Sequence, residues 1–111
     1  MPFDSTPIFD RLTFSPGREG LRKLAYVLRH KELWPADHVW NYKCCGQCAM
    51  GIANELWSEV NGINTFRMSQ AFEITESAAI RIFIFARRSG QQMGDVGPEQ
   101  VADAIDNYLA S

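Results

Sequence analysis

Thr75-Glu76-Ser77-Ala78-Ala79-Ile80-Arg81-Ile82-Phe83-Ile84-Phe85-Ala86 is the stretch on which the fold class turns. Ile80, Ile82, Phe83, Ile84 and Phe85 are apolar on every side and are also good strand formers. Against a strand stand Thr75, a residue suited to capping a helix, Glu76 in the favourable first turn, and the helix-forming pair Ala78-Ala79. Read as helix, this stretch makes the chain all-α. It also carries more apolar surface than one modest core easily covers, which predicts a homodimer with Ile82 and Phe85 near the contact.

The flanking segments agree with a helical reading. Ser15-Pro16 forms a helix start, with the Ser15 hydroxyl accepting from the first turn and Pro16 at the first helical position. Leu21, Leu24, Ala25 and Leu28 then recur at 3-4-7 spacing on an arc of roughly 100°, with Arg18, Arg22 and Arg29 on a neighbouring arc, and the helix runs to about His30. Pro35 blocks continuation, so residues 31–43, with Leu33, Trp34, Val39, Trp40 and Tyr42, form an aromatic loop that packs inward. A second helix is expected over about 46–60, its apolar face built from Cys45, Cys48, Ala49, Ile52, Leu56 and Val60, with Asn61-Gly62 as a left-handed cap. A short helical turn covers 66–72, and residues 87–96 read as a mobile loop. Gly97-Pro98 opens the last helix, lined by Val101, Ala104, Ile105, Tyr108 and Leu109. The expected architecture is a compact bundle of four main helices plus the short turn. Residues 1–14 are an N-terminal arm over a single helical domain at 15–111.

Composition narrows the function classes. The chain has 111 residues, 46% hydrophobic and 22% charged, with 13 acidic against 11 basic side chains and a net charge of −2. A chain of this size buries roughly 65% of its unfolded surface, enough for one core without metal or disulfide. Such a balance gives no global attraction to nucleic acid or an anionic membrane. The longest apolar runs, 24–28 and 82–86, fall far short of the ~20 residues of a membrane span. Residues 1–10 lack a basic start followed by an apolar stretch, so a cytoplasmic address is expected. Charge is unevenly spread: Arg18, Arg22, Lys23 and Arg29 make the first 31 residues basic, whereas residues 89–111 hold Asp95, Glu99, Asp103 and Asp106 and no base. Solvated faces or attraction between the two ends account for this asymmetry.

The sequence feature that suggests chemistry is Cys44-Cys45-Gly46-Gln47-Cys48, where the aromatic loop enters the second helix. A helix N-terminus favours a thiolate. Three functional readings follow. Cys48 could act as a catalytic nucleophile. Cys45 and Cys48 could join His30 or His38 around zinc, or they could form a redox dithiol. The simplest reading needs none of these, because Cys45 and Cys48 share the apolar face with Ala49 and Ile52 and behave as small buried hydrophobes. On it the thiols are reduced and no cofactor is expected.

Two resemblances bear on these residues. Cys45-Gly46-Gln47-Cys48 resembles the short active-site stretch of papain-like cysteine proteases, with Cys48 in the nucleophile's place, although both histidines lie upstream, the reverse of that family's order. More broadly, Glu32-Leu33-Trp34, Trp40, Cys45-x-x-Cys48-Ala49-Met50-Gly51-Ile52-Ala53, Phe72-Glu73-Ile74-Thr75 and Pro98-Glu99-Gln100-Val101 follow one another in an order similar to that of small uncharacterised bacterial and phage helical proteins. Their second helix carries a C-x-x-C-x-x-G-x-A pattern, and the likeness implies the helical architecture and a bacterial or phage setting. The expected function is that of a non-enzymatic interaction or regulatory protein binding a protein partner. The alternative is a thiol-dependent hydrolase or redox protein, or a zinc-binding one, using Cys44, Cys45 and Cys48.

Overall fold

In a computed structural model describing residues 13–111, the chain forms five α-helices and, among the described residues, no strand. They are α1 (Gly17–Arg29), α2 (Ala49–Leu56), α3 (Thr65–Ala71), α4 (Glu76–Phe83) and α5 (Pro98–Ala110), with short 3-10 turns at Lys31–Leu33, Cys45–Gln47 and Met93–Asp95. The Cα radius of gyration is 13.3 Å, close to the ~13 Å expected of one packed domain of this length.

The apolar period of α1 is realised directly: Leu21, Leu24, Ala25 and Leu28 are buried, and Val27 widens the stripe. Its start departs from expectation. Pro16 stands before the helix, and Gly17 opens it with a left-handed φ of 70°, so the Ser15 hydroxyl does not cap the first turn. Instead it accepts from Lys23 Nζ at 2.7 Å, and the same ammonium donates to the Thr13 carbonyl at 2.9 Å. These bonds bring Phe14 against Trp57 and Phe72, with ring centroids 6.2 Å apart in both cases. Of the expected arm, residues 1–12 lie outside the described residues.

α1 packs antiparallel on α5. Arg18 at the start of α1 donates to the Leu109 carbonyl at the end of α5. At the other end of α1, Arg29 reaches Asp103 at 2.8 Å and Asp106 at 2.7 Å. Burial of the Arg29 guanidinium works against its charge, but the hydrogen bonds to Asp103 and Asp106 outweigh it and leave the pKa above the ordinary value. The charge asymmetry of the sequence thus joins the first helix to the last, as attraction between the two ends implied. Gly97 and Pro98 open α5 as read, and Val101 and Ile105, together with Ala102, line its buried face.

The second helix is shorter than its apolar rhythm suggests. Residues 45–47 form a 3-10 turn, Cys48 is extended, and α2 begins only at Ala49. The reason lies outside the segment: the Gln47 carbonyl accepts from the Asn41 N–H at 2.8 Å and so is turned away from a continuous helix. At the far end, Trp57 leaves helical geometry with φ −130° and ψ 107°, placing its indole in the core edge-on to Phe72 at 6.4 Å. Asn61 and Gly62 do take positive φ, but in the link to α3, where Gly62 N–H donates to Asn54 Oδ1 at 2.8 Å.

α3 starts from Asn64, whose side chain accepts from Arg67 N–H at 2.8 Å. The decisive stretch is helical as expected, with Thr75 Oγ1 accepting from Ala78 N–H at 3.1 Å. It is not, however, apolar on every side once folded. Ala78, Ala79, Ile82 and Phe83 form one buried face, Ile80 and Ile84 are half-buried, and the helix stops at Phe83. Ile82 is only 2% exposed, buried by its own chain, and so offers no surface for the expected dimer contact; Phe85 does, at 57%.

Residues 87–96, expected to be a mobile loop, contain a 3-10 turn at Met93–Asp95 and hydrogen bonds centred on Gln91. The amides of Gln91 and Gln100 exchange hydrogen bonds at 2.6 and 2.7 Å, Gln91 also accepts from Arg88 N–H and donates to the Asp95 carbonyl, and Val96 is buried.

Gly20 lies where the segment before α1 and the Phe72 ring approach the helix closely. A Cβ there would sit 1.9 Å from the Ser15 carbonyl oxygen and 2.9 Å from the Phe72 ring. At an exposed helix position glycine to alanine gains up to ~1 kcal/mol. Here Gly20→Ala is expected to destabilise by roughly 1–3 kcal/mol through overpacking, and chemical denaturation of the variant measures the sign.

Candidate functional site

The aromatic loop and the cysteine segment form one unit, built by side chains whose polar ends reach backbone elsewhere. Trp34 Nε1 donates to the Val27 carbonyl at 2.8 Å, tying the loop to α1. Trp40 Nε1 donates to the Val96 carbonyl, also at 2.8 Å, tying it to the approach of α5. Between them the rings run in series: His38 lies edge-on to Trp34 at 5.7 Å, Trp34 neighbours Trp40 at 6.0 Å, and Trp40 stacks on Tyr42 at 6.5 Å. The inward packing read from the sequence is therefore present, with Val39 the exception at 65% exposure.

Tyr42 ends this series in the core. Its phenolic oxygen accepts from Ala86 N–H at 3.1 Å, which anchors the loop to the chain just past α4. Burial pushes the phenol pKa above its ordinary value of 10.0, and the nearby Cys48 sulfur adds to the shift, while the Ala86 hydrogen bond and Arg87 oppose it.

Cys44 and Cys48 are not brought together as their spacing suggested. Cys44 is exposed, whereas Cys48 is 3% exposed within the core cluster. The Cys45 side chain lies outside the described atoms. A nucleophile at Cys48 would be sealed from substrate, and each histidine has one ring nitrogen at a backbone carbonyl. His30 Nδ1 faces the Tyr26 carbonyl at 2.7 Å with its ring stacked on Tyr26 at 3.9 Å. His38 Nε2 faces the Gln47 carbonyl at 3.2 Å. The proposed zinc set of Cys45, Cys48, His30 and His38 is likewise not assembled from described groups. Among the described residues no three His, Cys, Asp or Glu side chains come together in a way that could hold a metal. Cys48 stands at the N-cap of α2, the helix end that favours a thiolate, but its side chain makes no cap bond there. What this unit does is join α1, α4 and the entrance to α5.

Compared with known proteins, the chain matches no family model, no curated protein and no solved structure. Among the described residues no helix is long and apolar enough to cross a membrane.

Two outcomes follow from the packing at this unit. Cys48→Ser places a more polar hydroxyl at a position only 3% exposed and is expected to destabilise by roughly 1–3 kcal/mol; an unchanged melting temperature would contradict the burial. Tyr42 gives a pH dependence of definite sign. Because its folded pKa is raised, its contribution to stability is complete below the unfolded value of about 10 and is lost as pH rises through the folded one. Melting temperatures between pH 8 and ~11 should therefore fall more steeply for the native chain than for Tyr42→Phe.

Proposed function

We propose that the protein is a small non-enzymatic interaction or regulatory protein of the bacterial or phage cytoplasm that works by binding another protein. The observation that carries this reading is the placement of two aromatic side chains: Phe66 on the first turn of α3 is 52% exposed and Phe85 just beyond α4 is 57% exposed. Burying a side chain of this size contributes about 1.5–3 kcal/mol, so two left in solvent represent binding energy available to a partner. Ile63, three residues before Phe66, adds a further exposed apolar side chain. Meanwhile the residues best suited to chemistry are occupied in the scaffold, Cys48 in the core and both histidines at backbone carbonyls. The thiol alternative rests on Cys44, whose side chain stands in solvent beside Lys43. Rapid native-state alkylation of Cys44 below about pH 7 would favour it, since only a thiol with a lowered pKa is reactive there.

The test compares the native chain with a Phe66→Ser, Phe85→Ser double variant as baits in quantitative capture from lysate of the source cells. Surface changes of this kind leave stability within about 0.5 kcal/mol, so both baits are folded. A protein retained by the native bait and reduced roughly tenfold by the variant supports the reading, the factor corresponding to about 1.4 kcal/mol. Identical capture by the two baits overturns it. A two-chain mass in light scattering, lost in the variant, would make the partner a second copy of this chain.

A further inference from the structure

Asn61-Gly62, in the link between α2 and α3, is the one Asn-Gly step in the chain. At such a step the backbone can react with no partner but water. The Gly62 amide nitrogen, on losing its proton to solvent base, attacks the side-chain carbonyl carbon of Asn61. The new C–N bond closes a succinimide ring, and the side-chain nitrogen takes a proton from solvent and leaves as ammonia. Water then opens the ring at either carbonyl to give aspartate or isoaspartate. Overall an amide and water become a carboxylate and ammonium, with no oxidation or reduction. Glycine favours the reaction because no Cβ hinders the approach of the two groups.

Two features of the structure act on this step in opposite senses. Asn61 is exposed and its side-chain amide has no hydrogen-bond partner among the described residues, so its carbonyl carbon is open to attack. The Gly62 nitrogen is held. Its N–H donates to Asn54 Oδ1 at 2.8 Å, which retains the proton that must leave and aims the nitrogen at α2 instead of at Asn61. The backbone on either side is fixed as well. Asn61 sits at φ 55°, a left-handed conformation that asparagine tolerates, and Gly62 at φ 153°. Arg67 Nε donates to the Val60 carbonyl at 3.2 Å, and Arg67 Cγ lies 2.5 Å from where a Cβ on Gly62 would stand. Closing the ring requires rotation of the Asn61-Gly62 backbone, and that rotation breaks the bond to Asn54.

We propose that Asn61 is a spontaneous deamidation site and that Asn54 holds its rate down by retaining the Gly62 N–H. Opening of this one hydrogen bond turns a slow site into a fast one. The isoaspartate product routes the main chain through the former side chain and so adds one methylene to the link that carries the exposed Ile63 and leads to Asn64, the cap of α3. Either product adds one negative charge to a chain whose net charge is −2.

The test follows the full chain during incubation in mildly alkaline buffer at physiological temperature. Peptide mapping by mass spectrometry locates the exchange of –NH2 for –OH, and chromatography separates isoaspartyl from aspartyl peptides. Asn61 is expected to be the first asparagine modified. Asn54→Ala should raise its rate roughly fivefold, the factor given by about 1 kcal/mol of lost hydrogen bonding. Alanine is the most favourable residue in a helix interior, so this variant keeps α2. Amide hydrogen exchange at Gly62 should quicken by a similar factor, a readout that does not depend on deamidation. Asn54→Asp, which keeps an acceptor oxygen at the same place, should deamidate no faster than the native chain. Gly20→Ala separates the local bond from general loosening: it weakens the bundle but leaves Asn54 and Gly62 in place, and the rate at Asn61 should stay within about twofold of native. Modification of another asparagine ahead of Asn61, an unchanged rate in Asn54→Ala, or equal acceleration by Asn54→Asp or by Gly20→Ala would each overturn the proposal.

Discussion

The structure depends on the antiparallel pairing of α1 with α5, which joins segments separated by most of the chain. Arg18 and the Leu109 carbonyl are 91 positions apart, and Arg29 and Asp103 are 74 apart. Closing so large a loop costs entropy that grows only slowly with length, and the burial of Leu21, Leu24, Leu28, Val101 and Ile105 offsets it at about 1.5–3 kcal/mol for each large side chain. The ion pairs at Arg29 are half-solvated, and pairs of that kind contribute at most about 1 kcal/mol each. They set the alignment of the two helices more than the strength of their association. α4 packs on α5 and α3 on α4, with the Phe14, Trp57 and Phe72 rings packed together near the start of α1.

What could be read along the chain was what depends on near neighbours. The 3-4 spacing of Leu21, Leu24 and Leu28, the cap at Thr75 and the Gly97-Pro98 opening all act within one or two turns, and the fold class followed from them. Asn64 could have been recognised by the same logic, since an asparagine before a helix start is a capping residue. The start of α2 could not be, because it is decided by Asn41 taking the Gln47 carbonyl, a hydrogen bond with no local signature. The face of α4 was hidden for a related reason: an apolar run has no visible periodicity until packing separates Ile82 inside from Phe85 outside.

The cysteine segment shows how the same spacing can serve opposite ends. Four positions separate Cys44 from Cys48, and a 3-10 turn between them sends one thiol to solvent and the other to the core. Sequence proximity suggested a shared site, whereas the backbone turn separates Cys44 from Cys48.

The paired amides of Gln91 and Gln100 also bear on how this chain can vary. Surface connections ordinarily accept insertions and deletions as readily as substitutions. Here each glutamine both gives and receives, and Trp40 fixes Val96 between them, so the segment has a set contour length. An added or missing residue would part the amides and move the first turn of α5 relative to Trp34. Exposed positions such as Ser89 and Gln92 can change side chain without that cost. Among natural variants the segment would then diverge in residue identity while conserving its number of residues.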